Sequence, residues 1–151
     1  MQKQHLAVFA CLLAALFGLG IVLGVFLPRL AADHFVAAIG QCDVVLDSIG
    51  WSGCNSILES LVHDVPIVTL PGDTMRARHA AAILEMMGIR ETTAQTLDDY
   101  VSIAVSLGRN AAKRAEFSAR LAARKQLVYR DRDCIAALEA FLDRAVRPAA
   151  R

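Results

Sequence analysis

The sequence lacks most of what would mark a multidomain enzyme, a disulfide scaffold or a nucleic-acid binder. Its 151 residues leave room for one ordinary domain, so a two-lobed enzyme is not expected to be complete within them. An excess of either charge is missing: 16 Lys and Arg stand against 15 Asp and Glu, a formal net charge of +1. No global field draws the chain to a polyanion, which excludes nucleic acid as the main partner. Cys11, Cys42, Cys54 and Cys134 form no CxxC pair. Reduced, mostly buried thiols are expected, with neither a disulfide framework nor a thiolate metal site. His34, His63 and His79 lack metal-ligand spacing, so no metal and no cofactor are expected. No internal repeat or low-complexity tract is present.

Apolar residues are plentiful. They make up 56% of the chain, with a mean hydropathy of +0.44, which supports a packed core and excludes intrinsic disorder. The run Leu6 to Pro28, LAVFACLLAALFGLGIVLGVFLP, carries no charge. It is long enough to cross a hydrocarbon layer about 30 Å thick, and this supports a membrane-anchored chain. No A-x-A-like site closes it, so a cleaved signal peptide fits less well. A second reading divides the run at Gly18 and Gly20, giving a helix from about Gln4 to Phe17 and a buried strand from about Ile21 to Leu27, ended by Pro28. The two exclude each other, because a segment cannot both cross lipid and pair in a sheet.

Beyond Pro28, strands and helices alternate. Phe35, Val36 and Ile39 mark a short amphipathic helix. CDVVL (Cys42 to Leu46) and VPIVTL (Val65 to Leu70) have the continuous apolar character of parallel strands covered on both faces. A helix is expected from about Met75 to Met87, stopped by Gly88, and another starting at Thr96 with Asp98 and Asp99 in its first turn. Asn110 to Lys125, with the arginines and lysines around it, reads as a solvated helix. Arg132 to Val146 reads as a final helix with Ile135, Leu138, Phe141 and Leu142 turned inward. The pattern predicts an α/β fold with a parallel sheet. Only three strands are visible, at about 21–27, 42–46 and 65–70, so part of the sheet is missing and an open edge favours self-association.

Ligands of such sheets bind beyond the carboxyl ends of the strands, in the loops after Leu46 and Leu70. After Leu46, Ser52-Gly53-Cys54-Asn55-Ser56 opens a helix. A helix N-terminus presents unpaired N–H groups and a positive dipole end, so it suits a diphosphate without any lysine. Gly53 lets the backbone approach, Asn55 and Ser56 can donate, and Glu59 lies one turn on, placed to accept from ribose hydroxyls. The same residues also suit an ordinary N-cap by Ser52 or Asn55 with a solvated Glu59. Cys54 at a helix N-terminus has the setting of an activated thiol, but no base can be named beside it. Trp51 suits either stacking on a ligand or packing beneath the loop. Arg76, Arg78 and Arg90 suit either a phosphate or a solvated helix face.

FLPR (Phe26 to Arg29), DVVLDSIGWSGCNSILESL (Asp43 to Leu61) and VPIVTLPGDTMRARHAA (Val65 to Ala81), in this order and spacing, resemble the C-terminal catalytic region of the O-linked N-acetylglucosaminyltransferases and their SPINDLY-like relatives. The similarity extends more weakly through Thr96 to Leu107 and Leu138 to Leu142. It covers about residues 21–146.

The resemblance implies a partial Rossmann-like lobe, the later part of the C-terminal lobe of a GT-B glycosyltransferase. It implies a UDP-N-acetylglucosamine or related nucleotide-sugar donor, a protein acceptor held by regions absent here, and a cytoplasmic setting. The family reaction transfers the sugar to Ser or Thr with inversion. By motif position, Gly53, Cys54, Asn55 and Ser56 match the diphosphate-contacting segment and Glu59 the acidic residue on the ribose. Asp47, Pro71 and Gly72 match loop-organising positions. Ala32 and Phe35 fall where animal members carry base-contacting residues. His63-Asp64 replaces the family's Ala-Gly before the VPIVT strand. No catalytic residue is carried over, because the catalytic-lobe histidine and the lysine of the leaving diphosphate have no counterpart. The reading is therefore a glycosyltransferase fragment, inactive alone, with a non-catalytic, membrane-anchored binding or assembly module as the alternative.

Overall fold

The computed structural model describes residues 8–14, 21–129 and 131–146. Its centre is a β–α–β unit. Strand β3 (Val45–Leu46) pairs in parallel with β4 (Ile67–Val68), and helix α2 (Asn55–Val62) connects them. A parallel bridge between Thr69 and Thr93 continues the sheet. The paired stretches are shorter than the apolar runs containing them. Around the sheet lie α1 (Ala32–Ile39), α3 (His79–Met86), α4 (Leu97–Arg109), α5 (Ala111–Arg124) and the short α6 (Gln126–Tyr129). Ile57 and Leu61 of α2, Ile67 and Val68 of β4, Leu84 and Met87 at the end of α3, Leu107 of α4 and Phe117 and Leu121 of α5 form one buried cluster. The α/β class and the parallel sheet expected from the alternation are those observed.

Local signals set the helix ends. Thr96 Oγ1 accepts from the Asp99 N–H at 3.1 Å, and Asp99 Oδ2 accepts from the Gln95 N–H at 2.9 Å, a reciprocal cap that starts α4. Asn110 Oδ1 accepts from the Lys113 N–H at 2.9 Å and starts α5. Gly88, with φ of 65°, follows α3 in the left-handed conformation that glycine adopts at least cost.

Several expectations are corrected, that of mostly buried thiols among them: Cys54 and Cys134 are exposed and Cys42 is half-buried. Ile21–Leu27 is a strand (β2), but it is not the first strand of the parallel sheet. It pairs antiparallel with β1 (Val8–Ala14), from Val8 opposite Leu27 to Ala14 opposite Ile21. Two apolar runs separated by only six residues can pair antiparallel, whereas a parallel partner needs a long crossover. The expected helix over Gln4 to Phe17 is accordingly replaced by strand at residues 8–14; its remaining positions lie outside the described residues. No helix among the described residues is long and apolar enough to cross a membrane. The helix expected over Met75 to Met87 is broken: a 3₁₀ turn spans Met75–Ala77, and Arg78, at φ −143° and ψ 21°, separates it from α3. Finally, helix α7 (Asp133–Val146) leaves Ile135, Leu138, Phe141 and Leu142 48–58% exposed instead of buried. The buried core cluster includes residues of α2 to α5 and none of α7.

The basic stretch is more than a solvated face. Arg114 Nη1 donates to the Leu107 and Gly108 carbonyls at the end of α4, both at 2.9 Å. Arg124 Nη1 donates to the Met87 carbonyl beyond α3 at 2.9 Å. Lys125 Nζ donates to the Leu61 and Val62 carbonyls at the end of α2, at 3.2 and 3.1 Å. Each cation sits on the negative end of a helix, where it satisfies carbonyls that have no intrahelical donor. Lys125 also pairs with Asp64 at 2.8 Å. Asp64 holds φ at 56°, a left-handed conformation costly for a residue with a Cβ. Lys125→Met is expected to lower stability by about 2 kcal/mol, the scale of lost charge-assisted bonds. Asp64→Gly is expected to cost less, because relief of the backbone offsets part of the lost ion pair. Urea denaturation checks both, and equal midpoints for Lys125→Met and the parent would exclude the capping role.

Candidate functional site

Asp47 follows β3, and its N–H donates to the Val68 carbonyl at 2.9 Å, so its backbone still belongs to the ladder. Its side chain is 5% exposed. Oδ2 accepts from Ser52 Oγ at 2.7 Å and Thr69 Oγ1 at 2.8 Å, and Oδ1 accepts from the Gly53 N–H at 2.8 Å. The Tyr100 hydroxyl donates to the Asp47 carbonyl at 3.0 Å. The carboxylate is thus met by neutral donors from the loop after β3 and from the end of β4, while α4 holds its backbone.

Ser52 extends this network. Its Oγ accepts from the Ala80 N–H at 2.9 Å, and its N–H donates to the Arg76 carbonyl at 2.8 Å. A residue expected to cap α2 therefore caps the first turn of α3 instead. Cys54 occupies the N-cap of α2 without any side-chain hydrogen bond to the helix. The first helical bond runs from the Leu58 N–H to the Cys54 carbonyl, at 3.1 Å. The preceding N–H groups have no intrahelical partner. The ordinary N-cap expected as an alternative is not what the structure contains.

The residues expected to contact the diphosphate are contiguous at this helix start. Cys54 and Asn55 are exposed, while Gly53 and Ser56 are half-buried. A Cβ on Gly53 would overlap Ser56 Oγ and lie 3.2 Å from Ile57 Cγ1, so a side chain there would turn the Ser56 hydroxyl away and press on Ile57. Glu59 is half-buried one turn along α2. In the second loop the Gly72 N–H donates to the Ala77 carbonyl at 3.0 Å, and a Cβ on Gly72 would lie 2.9 Å from that of Ala77. Pro71 lines a groove of about 380 Å³ with Arg78, Arg90, Thr93 and Gln95. Gly53 to Ser56 and Glu59 do not line this groove. Trp51 is 67% exposed, not packed beneath its loop. No group of acidic, histidine or cysteine side chains among the described residues is placed to hold a metal ion.

Thr69, Tyr100 and the α3 cap by Ser52 are the members of this network that sequence reasoning missed. Tyr100 reaches Asp47 across 53 positions, and nothing local to TLDDYV signals such a contact.

Comparison with known proteins bears on the same loops. The sequence profile of glycosyl transferase family 41 matches residues 19–130. The chain belongs to glycosyl transferase family 41. Among its relatives, the UDP-N-acetylglucosamine–peptide N-acetylglucosaminyltransferase of Caenorhabditis elegans is 35% identical over 97 residues, 64% of this chain and 8% of that protein. The probable transferase SPINDLY of Petunia hybrida is 32% identical over 75 residues, again 8% of its length. A solved structure of a variant O-GlcNAc transferase from Thermobaculum terrenum superposes with a TM-score of 0.67 at 32% identity, covering 78% of this chain and 23% of that one. This family 41 chain therefore spans less than a tenth of the curated relatives named here. The matched segment contains both loops described above.

Asp47→Ala is expected to cost about 3 kcal/mol, since it strands the Thr69 hydroxyl and the Gly53 N–H in a buried setting. Chemical denaturation checks this, and a loss under about 1 kcal/mol would remove Asp47 from the centre of the network. Burial, and then the nearby Asp47 charge, push the Tyr100 phenol up to about 12, from an ordinary value of 10.0. A folded-state value above the unfolded one means that the contribution of Tyr100 is complete below pH 10 and is lost as the pH rises toward 12. Tyr100→Phe is expected to flatten the alkaline fall in stability over that window, leaving the contribution of Tyr129, whose phenol is also raised by burial and by Asp64. Unfolding free energies measured from pH 9 to 12 check this.

Proposed function

We infer that this family 41 chain carries the donor-nucleotide part of a UDP-N-acetylglucosamine-dependent protein glycosyltransferase and transfers no sugar by itself. The observation that carries this reading is the uncapped start of α2. It lies in the family-matched segment, directly after the loop pinned by Asp47, beyond the carboxyl end of a parallel strand. In this reading the diphosphate lies on the N–H groups of Cys54, Asn55 and Ser56, with Gly53 admitting it. The ribose is held by Glu59, one turn away. Asp47, Pro71 and Gly72 shape the two loops. The absence of transfer follows from the chemistry: family 41 sugar transfer needs donor and acceptor held in one geometry, and positioning supplies most of the rate. The share of the relatives that the chain spans supports this reading.

A second reading, an assembly module, draws on two observations. β3 has a backbone partner only in β4 among the described residues, and the apolar stripe of α7 is exposed. Self-association in light scattering, together with failure to bind UDP, would favour it.

Titration with UDP, followed by amide chemical shifts, tests the main reading. Shifts at Gly53 to Glu59 are expected with Kd of roughly 0.1–1 mM. Glu59→Gln should weaken binding by about 1.5–3 kcal/mol. Shifts clustered elsewhere, or a Glu59→Gln chain that binds UDP like the parent, would sink it.

A further inference from the structure

Trp51 is the single tryptophan of the chain, and it stands 67% exposed three residues before the N-cap of α2. The guanidinium carbon of Arg76 lies 5.0 Å from the centroid of its ring. The hydrogen bond from the Ser52 N–H to the Arg76 carbonyl, at 2.8 Å, fixes the two loops beside each other. Four other arginines among the described residues are already engaged. Arg90 pairs with Glu85, Arg114 with Asp43 and Arg120 with Glu91, while Arg124 serves carbonyls. Arg76 is exposed and forms no ion pair among the described residues, Asp73 included. A guanidinium lying over an aromatic face keeps its N–H edge free for an anion, because stacking uses the face of the ion and hydrogen bonding uses its rim.

We propose that Arg76, oriented by the Trp51 ring, is the cation that neutralises the diphosphate of a nucleoside diphosphate lodged at the start of α2. The inference rests on the donor-nucleotide reading above and adds to it a charge that the α2 backbone cannot supply. Arg76 is the binding group, and Trp51 is a positioning residue that limits the rotamers Arg76 must give up on binding. An arginine suits this role better than a lysine, since two of its donors can meet two phosphate oxygens in one plane.

The experiment uses the whole chain with three probes: UDP, uridine and inorganic pyrophosphate. Trp51 fluorescence reports at the ring, and amide shifts report at α2. UDP and pyrophosphate are expected to change Trp51 emission, and uridine, having no charge, is not. Arg76→Ala should weaken UDP and pyrophosphate by on the order of tenfold and leave uridine unchanged, with Arg76→Lys recovering only part of the loss. Arg78→Ala, which alters a neighbouring exposed arginine, should leave all three near the parent values. Trp51→Phe should retain most of the affinity that Trp51→Ala loses, both followed by amide shifts; equal losses would remove the positioning role. Unchanged thermal unfolding of Arg76→Ala, or of Arg76→Gln in its place, separates a binding effect from a folding one. UDP binding at α2 that survives Arg76→Ala undiminished overturns the inference and leaves the donor-nucleotide reading intact. Absence of any UDP-induced shift at α2 in the parent chain overturns both.

Discussion

A carboxylate withdrawn from water with no cation beside it persists only where neutral donors meet its oxygens, and Asp47 is held on those terms. Ser52, Gly53 and Thr69 each give it one hydrogen bond. Removing any one leaves a charge under-satisfied in a buried place, so the loop after β3 and the end of β4 are constrained together rather than separately. The path of the loop from Ser48 to Cys54, the depth of Gly53 against α2 and the seat of the loop on α3 all follow from this. The candidate site thus stands beside a buried polar hub.

The hub also accounts for the bare start of α2. A serine near a helix start would ordinarily accept from that helix's first N–H groups. Here Ser52 gives its proton to Asp47 and its lone pair to the Ala80 N–H. The loop is therefore bound to α3 while the amino end of α2 is left without a side-chain cap. One hydroxyl, by facing the neighbouring helix, determines which of two adjacent helix starts is left without a side-chain cap.

Much of this was legible in the sequence where the signal is local. The β–α–β order, the glycine-containing turn after Asp47, the Thr96 cap and the Gly88 stop follow from apolar runs and turn chemistry. The family motifs, covering both loops, added the candidate site. Pairing choices were less legible. Ile21–Leu27 has the composition of a buried strand, but composition does not say which neighbour a strand takes, and the nearer run at Val8–Ala14 is its partner. The stripe on α7 has the periodicity of a packed face without a surface to pack on. Periodicity records which side of a helix is apolar, and only the remainder of the fold decides whether that side is covered. Arg114, Arg124 and Lys125 read as solvent-facing because their acceptors are backbone carbonyls, which carry no sequence signature.

Those three basic residues also shape the field of the whole molecule. They gather the carbonyl ends of α2, α3 and α4 onto one helix and its C-cap residue, so positive side-chain charge is concentrated where three helices terminate. The opposite ends of α2 and α3 lie at the outgoing edge of the parallel strands. A net charge of only +1 therefore conceals an uneven potential: the terminating ends are quenched internally, and the beginning of α2 is not. An anion approaching from solution meets a molecule that is nearly neutral at long range and directional at short range, so its orientation is decided in the last few ångströms before contact.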